Sequence, residues 1–191
     1  MTTPRILSLH GFRSSSASWK TRALREVLRQ RGQEDVLLTP DLPWEPAAAQ
    51  QVCETLLETL RETPVTLLGS SLGGFYATYL AERYAKKAVL VNPAVLSCLP
   101  MTAWLGTHRH LHRDESFTLT PAHVEQFYAW EVSHLHPERY LLLLEKGDQV
   151  LDYRDALRHY AGCEQIVLEG GEHGFCQFVR FIPRILEFAG L

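Results

Sequence analysis

The sequence of 191 residues lacks any apolar run long enough to cross a bilayer, and it lacks an excess of either charge. Its 19 basic and 22 acidic residues leave a formal net charge of -3, so nucleic acid and anionic membranes are not expected as partners. The first residues pass almost directly into a strand-like run, without the charged start, apolar stretch and cleavage site of a secretory signal. These absences predict a cytoplasmic protein.

Cysteine is also scarce. The four cysteines lie far apart and form no Cys-x-x-Cys pair, which argues against a zinc knuckle or a redox motif and favours reduced thiols. Internal repeats and low-complexity tracts are missing as well. Hydrophobic residues make up 46% and charged residues 21% of the chain, as in ordinary globular proteins, and the length suits one domain spanning residues 1–191.

Short apolar runs alternate with helical patterns along most of the chain. The runs that indicate strands are residues 6–9, 36–38, 65–68, 88–91, 140–144 and 166–168. Such alternation predicts an α/β fold with about six parallel strands and helices on both faces. A last amphipathic helix is expected over roughly residues 177–188, which Pro183 should kink or interrupt.

The pattern changes between residues 96 and 139. Prolines, histidines and aromatic residues are scattered there, and only residues 121–131 have a helical pattern. We expect a small cap-like insertion over one face of the sheet. Its aromatic side chains could simply pack it onto the domain, line a substrate pocket, or do both.

The turn after the third expected strand has the sequence Gly69-Ser70-Ser71-Leu72-Gly73, and a helical pattern follows it. Strand, Gly-x-Ser-x-Gly and helix in this order predict a nucleophile elbow. Ser71 has glycine two residues before and two after it, whereas Ser70 does not, so Ser71 is the expected nucleophile. Side chains at Gly69 and Gly73 would collide with neighbouring backbone in so sharp a turn. An ordinary glycine-rich turn is the alternative interpretation.

A nucleophilic serine needs a base within hydrogen-bond reach, and the base needs an acid that orients it. On this type of scaffold the three residues occur in the order Ser, Asp, His. Asp148 follows the fifth expected strand and His173 follows the sixth, so both match the order after Ser71. Asp152 is the alternative acid, although its position suits the N-cap of the next helix. All of these residues follow strands, where parallel sheets bind ligands.

The same chemistry needs two N–H donors for the oxyanion of the tetrahedral intermediate. We assign them to the backbone of Leu72, directly after the nucleophile, and of Phe12, in the loop after the first strand. Gly11 would let that loop approach the substrate. His10 is expected to support the loop rather than to act in the chemistry.

Alternating histidines at His108, His110 and His112 could chelate a metal ion. Arg109 and Arg113 would repel a cation there, and neither a carboxylate nor a cysteine stands at ligand spacing. Neither a metal nor a cofactor is therefore expected.

Several segments together resemble the YqiA-type small bacterial esterases, which belong to the α/β-hydrolase superfamily. The segments are His10-Gly11-Phe12, the elbow through Gly74, Val91-Asn92-Pro93-Ala94-Val95, Gly147-Asp148-Gln149-Val150-Leu151-Asp152-Tyr153 and Glu169-Gly170-Gly171-Glu172-His173. The resemblance extends from about residue 7 to the C-terminus and is weakest between residues 96 and 139.

This resemblance implies a compact α/β-hydrolase and a carboxylic-ester hydrolase with the triad Ser71, Asp148 and His173. The expected function is hydrolysis of small acyl esters through a covalent acyl-enzyme. A thioesterase or amidase with the same triad, and a non-catalytic protein that binds a ligand or a protein partner in the same crevice, remain as alternatives.

Overall fold

The computed structural model describes residues 2–191, which form one six-stranded sheet, one two-stranded sheet and six α-helices. The strands are β1 (Arg5–Leu9), β2 (Leu37–Leu38), β3 (Val65–Ser70), β4 (Lys87–Val91), β5 (Gly106–Arg109), β6 (Ser116–Leu119), β7 (Tyr140–Glu145) and β8 (Glu164–Leu168). The helices are α1 (Trp19–Gln30), α2 (Pro46–Thr59), α3 (Leu72–Tyr84), α4 (Pro121–Ala129), α5 (Tyr153–His159) and α6 (Phe178–Ala189). None of the helices in this range is long and apolar enough to span a membrane.

The main sheet has the order β2-β1-β3-β4-β7-β8, and all of its neighbouring strands are parallel. The predicted α/β fold with six parallel strands is confirmed. Both faces are covered, which is why the central strands are almost continuously apolar. On β7, for example, Leu142 and Leu144 belong to one core cluster, while Leu141 and Leu143 belong to the other. Helices α1 and α6 cover the second cluster, and α2, α3 and α5 cover the first.

Helix α6 continues through Pro183, so the expected interruption does not occur. A proline inside a helix removes the hydrogen bond to the carbonyl four residues earlier, here that of Val179. Pro183 itself lies on the exposed side of α6, and Val179 is 56% exposed. Water can therefore satisfy the freed carbonyl, while the buried side of the helix keeps its packing.

The segment 96–139 contains more regular structure than its sequence pattern indicates. Besides α4, it holds the antiparallel pair β5 and β6 and several short 3-10 turns. The strand pair was missed because each strand has only four residues and exposes every second one. Leu119, Val124 and Phe127 point inward and join the core cluster that contains α2 and α3.

Helix α3 begins in very close contact with the end of β1. A Cβ atom on Gly73 would overlap the carbonyl oxygen of Leu9, and one on Gly74 would lie 2.6 Å from Cβ of Pro93. At Gly69 an added Cβ would lie 2.7 Å from the carbonyl carbon of Gly73. The expected need for glycine at positions 69 and 73 is therefore confirmed by the packing of the backbone.

We predict that Gly73→Ala lowers the free energy of unfolding by about 3 kcal/mol or more, because the new methyl group must push strand and helix apart. Gly32→Ala is the control. A Cβ there meets no atom within 4 Å, although φ is +67°, so only the backbone preference is lost, about 1 kcal/mol. Chemical denaturation measures both values, and equal losses would contradict the prediction.

Candidate active site

The structure brings Ser71, Asp148 and His173 together at the carboxyl edge of the sheet. Ser71 follows β3, Asp148 follows β7, and His173 lies in the loop after β8. The Nε2 atom of His173 lies 3.0 Å from Oγ of Ser71, and its Nδ1 atom lies 2.8 Å from Oδ2 of Asp148. The His173 imidazole is thus within hydrogen-bond distance of both the Ser71 hydroxyl and the Asp148 carboxylate, whose residues follow different strands.

The backbone of Ser71 is strained, with φ 56° and ψ -122°. Such a conformation costs on the order of 1–3 kcal/mol and persists only where the surroundings hold it. Three backbone hydrogen bonds do so. The N–H of Ser71 donates to the carbonyl of Val91 (3.1 Å), and its own carbonyl accepts from Gly74 (2.8 Å) and Ala94 (3.1 Å). The turn therefore presents the Ser71 hydroxyl at a fixed position.

The Asp148 carboxylate is also held in place by hydrogen bonds. One carboxylate oxygen, Oδ1, accepts hydrogen bonds from the N–H groups of Val150 (2.8 Å) and Leu151 (2.9 Å). The other, Oδ2, faces His173, and the side chain is only 2% exposed. Asp152, the alternative acid, instead caps α5 by accepting from the N–H of Arg154 (2.9 Å). Of the two candidates, the structure brings Asp148 to the imidazole.

The loop that carries His173 is tied to the ends of two strands. Asn92, directly after β4, donates from Nδ2 to the carbonyls of Glu172 and His173, both at 3.1 Å. Its Oδ1 accepts from the N–H of Glu145 (3.0 Å). Asn92 is buried and has a φ of 41°, a conformation that asparagine tolerates better than most residues. The Asn92 side chain thereby fixes the position of the His173 loop relative to the ends of β4 and β7.

Glu145, at the end of β7, is a site residue that the sequence analysis missed. Its side chain is fully buried, and its carboxylate accepts from the N–H groups of Glu172 (2.8 Å), Cys176 (3.1 Å) and Gln177 (3.2 Å). A buried carboxylate without such donors would be very costly. One feature of the sequence could have indicated this role of Glu145: an ionisable residue ends the apolar run of β7, two residues before Gly147. Cys176 supports the same arrangement, because its thiol also lies 3.4 Å from Oε1 of Glu145.

The loop after β1 lies directly beside the Ser71 side chain. A Cβ atom added to Gly11 would lie 3.1 Å from Cβ of Ser71, so glycine keeps this space open. Within residues 2–191 the N–H groups of Phe12 and Leu72 donate to no acceptor. His10 accepts the N–H of Leu42 at Nε2 (2.9 Å), while its Nδ1 faces the carbonyl of Gly11 (3.1 Å). Burial lowers the pKa of His10, consistent with a neutral ring that supports the loop.

The segment 96–139 packs on this loop through aromatic side chains. The Phe12 ring contacts Trp104, His108 and Phe117 in edge-to-face geometry, with centroids 4.9 to 5.5 Å apart. The next residue, Arg13, donates from Nε to the carbonyl of Arg109 (2.7 Å). The segment therefore braces the backbone that holds Phe12.

Two cavities meet at Ser71. One, of about 30 Å³, has an almost entirely apolar wall that includes Leu99, Met101, Trp104 and Leu119. The other, of about 180 Å³, lies on the side of His173 and has a wall of serine, threonine and lysine side chains together with apolar groups. Ser71 thus stands between an almost wholly apolar cavity and a larger one that also contains polar side chains.

The histidines of the segment 96–139 do not gather around a common point. His108 packs on Phe12 and lies 2.6 Å from the carbonyl of Trp104, while the rings of His110 and His112 are 6.4 Å apart. Within residues 2–191 there is no group of three or more potential metal ligands. Trp44 stacks on Phe117, whereas Trp19, the first residue of α1, packs on Phe178.

Solved structures with a similar arrangement of strands and helices include α/β hydrolases. The alpha/beta hydrolase domain-containing protein 10 from mouse matches with a TM-score of 0.74 at 16% identity, over 99% of this chain and 90% of that one. Est1E from Butyrivibrio proteoclasticus with bound ferulic acid matches at 0.68 and 14%, over 98% and 88%. The monoacylglycerol lipase of Paleococcus ferrophilus matches at 0.68 and 15%, over 99% and 96%. At these identities the likeness defines the fold class, the α/β-hydrolase fold.

A match to a family model is more specific than the match to the fold. Residues 5–190 match the model of "Uncharacterised protein family (UPF0227)", and the chain belongs to that family. The resemblance to the YqiA-type proteins is thereby confirmed.

We predict that Glu145→Leu destabilises the protein by about 3 kcal/mol or more, because the N–H groups of Glu172, Cys176 and Gln177 lose their shared acceptor. Hydrogen exchange should show the earliest loss of protection in residues 172–177. Glu169→Leu serves as the control, since the Glu169 side chain is 83% exposed. If both variants unfolded at the same denaturant concentration, the anchoring role of Glu145 would be refuted.

Proposed function

We propose that the protein is a serine esterase that hydrolyses small acyl esters through a covalent acyl-enzyme. The observation that carries this proposal is the His173 imidazole placed between the Ser71 hydroxyl (3.0 Å) and the Asp148 carboxylate (2.8 Å). The α/β-hydrolase fold, and the monoacylglycerol lipase with the same fold, support it as well.

In the first half of the reaction, Oγ of Ser71 attacks the ester carbonyl carbon while Nε2 of His173 takes the hydroxyl proton. Asp148 keeps the proton of the neutral ring on Nδ1 and stabilises the imidazolium that forms. The tetrahedral intermediate then collapses, the bond to the alcohol oxygen breaks, and His173 returns the proton to that oxygen. The acyl group remains on Ser71, and a water molecule activated by His173 releases it as a carboxylic acid in the second half.

The N–H groups of Phe12 and Leu72 would hold the oxyanion of both tetrahedral intermediates. Their lack of an acceptor within residues 2–191 and the proximity of Gly11 to Ser71 support this assignment. A donor of this kind is worth several kcal/mol of transition-state stabilisation. The segment 96–139 acts in this proposal as a cap, because it braces Phe12 and supplies much of the apolar cavity beside Ser71.

We expect Ser71→Ala to lower kcat for nitrophenyl butyrate by at least about a thousandfold, because among residues 2–191 the Ser71 hydroxyl is the one hydrogen-bonded to His173. Circular dichroism should show an unchanged fold. Ser70→Ala is the matched control and should keep most of the activity. Turnover by Ser71→Ala close to that of the wild type would rule out the mechanism.

Asp148→Asn should lower kcat by on the order of ten-thousandfold, since an amide favours the wrong tautomer of His173. Asp152→Asn should leave kcat nearly unchanged, because asparagine caps a helix about as well as aspartate. Steady-state kinetics of both variants compare the two carboxylates directly. A larger loss in Asp152→Asn would reverse the assignment.

The remaining alternatives call for two further measurements. A panel that pairs oxyesters, thioesters and amides of the same acyl group compares kcat/KM for each bond type, and a preference for thioesters or amides would replace the esterase assignment. Labelling with a fluorophosphonate probe tests for an activated serine, with Ser71→Ala as the blank. A wild-type protein that forms no adduct would instead be a binding protein.

A further inference from the structure

The larger cavity beside Ser71 and His173 contains one lysine, Lys20, at the start of α1. Its ammonium lies 2.9 Å from the carbonyl oxygen of Gly174, the residue after His173. An ammonium group has three N–H donors, so this bond leaves two of them for other partners. Ser14, Ser18 and Thr21 also contribute to the wall of the cavity. The position places a cation next to the proposed site of bond cleavage.

Lys20 has no ion-pair partner among residues 2–191, because no carboxylate oxygen lies within 4.0 Å of its ammonium. Burial lowers the pKa of Lys20 to about 8. The more distant carboxylates of Glu145, Glu172 and Asp148 have the opposite, smaller effect and raise that pKa. At neutral pH the group is therefore still mostly a cation. The ring of Trp19 also lies near the ammonium, 5.6 Å from Nζ to the centroid. An anion that entered the cavity would meet an ammonium with free donors and would offset part of its desolvation.

The chemistry assigns the two cavities to different parts of an ester. His173 must give its proton to the leaving oxygen, so the alcohol portion lies on the side of His173, in the larger cavity with Lys20. The acyl portion then occupies the apolar cavity near Met101 and Leu119. A charged group on the alcohol portion is therefore the one that Lys20 can reach.

We propose that Lys20 is a specificity-determining residue that binds an anionic substituent, a carboxylate or a phosphate, on the alcohol portion of the substrate. This inference rests on the proposed esterase function. It goes further in naming the class of substrate, an ester whose alcohol carries a negative charge while its acyl group is apolar and uncharged.

The test compares two nitrophenyl butyrates that differ in one charge, one with a carboxylate on the ring and the other with its uncharged methyl ester. In Lys20→Met, kcat/KM for the charged ester should fall on the order of tenfold, while that for the uncharged ester stays within about twofold. Lys20→Arg should recover part of the loss. A third ester with a ring phosphate shows which anion is preferred.

Lys86→Met is the matched control, because it removes the same charge just before β4, at the opposite edge of the sheet from the site. It should leave the rates for both esters unchanged. A nitrophenyl ester of a dicarboxylic acid, charged on the acyl side, should depend little on Lys20. A strong dependence there would overturn the assignment to the alcohol portion.

Equal losses for the charged and uncharged esters in Lys20→Met would mean that Lys20 only supports the loop at Gly174, and the inference would be wrong. No change for either ester would be equally decisive against it. Should the wild type hydrolyse neither ester and form no fluorophosphonate adduct, the esterase function itself would fail.

The anion site is then judged by calorimetry with ether analogues of the same two compounds. Tighter binding of the carboxylated ether to the wild type, lost in Lys20→Met, supports the site, and equal affinities refute it.

Discussion

The strained turn at Ser71 is the constraint on which the rest of the site depends. Ser71 adopts a positive φ because its N–H and carbonyl are bound to neighbouring backbone at Val91, Gly74 and Ala94. These bonds are possible only because α3 starts in contact with the end of β1, where Gly73 leaves room for the Leu9 carbonyl. The packing of two central strands and one helix therefore supplies the energy that holds the hydroxyl in place.

The His173 loop is held by polar groups rather than by apolar packing. Asn92 binds two of its carbonyls, and the Glu145 carboxylate binds three of its N–H groups. Both side chains are buried, so these hydrogen bonds are strong in a low-dielectric surrounding and costly to break. A loop with glycines at 170, 171 and 174 would otherwise sample many conformations. The polar anchors reduce this freedom and keep the imidazole within reach of Ser71.

The segment 96–139 contributes to two parts of the site, the Phe12 loop and the apolar cavity at Ser71. It contacts the Phe12 ring through Trp104, His108 and Phe117, and it supplies part of the apolar cavity at Ser71. The larger cavity on the side of His173 is lined mainly by α1, the loops after β1 and β8 and the central strands, and Leu111 is the residue of this segment that reaches it. Changes in this segment would therefore alter the apolar compartment and the Phe12 loop while leaving the Ser71–His173–Asp148 chain intact.

The sequence by itself determined the parallel sheet, because buried strands must be continuously apolar, and it located Ser71 and His173, because polar residues after such strands converge at one edge. Only the tertiary structure decided which of Asp148 and Asp152 contacts His173. Only the tertiary structure decided the role of Glu145, which ends an apolar run and whose donors lie 27 to 32 residues later. It also decided that Lys20 enters the cavity, since a lysine at the start of an amphipathic helix is usually solvated. Local patterns encode burial and turns, whereas contacts between distant residues arise only when the chain is folded.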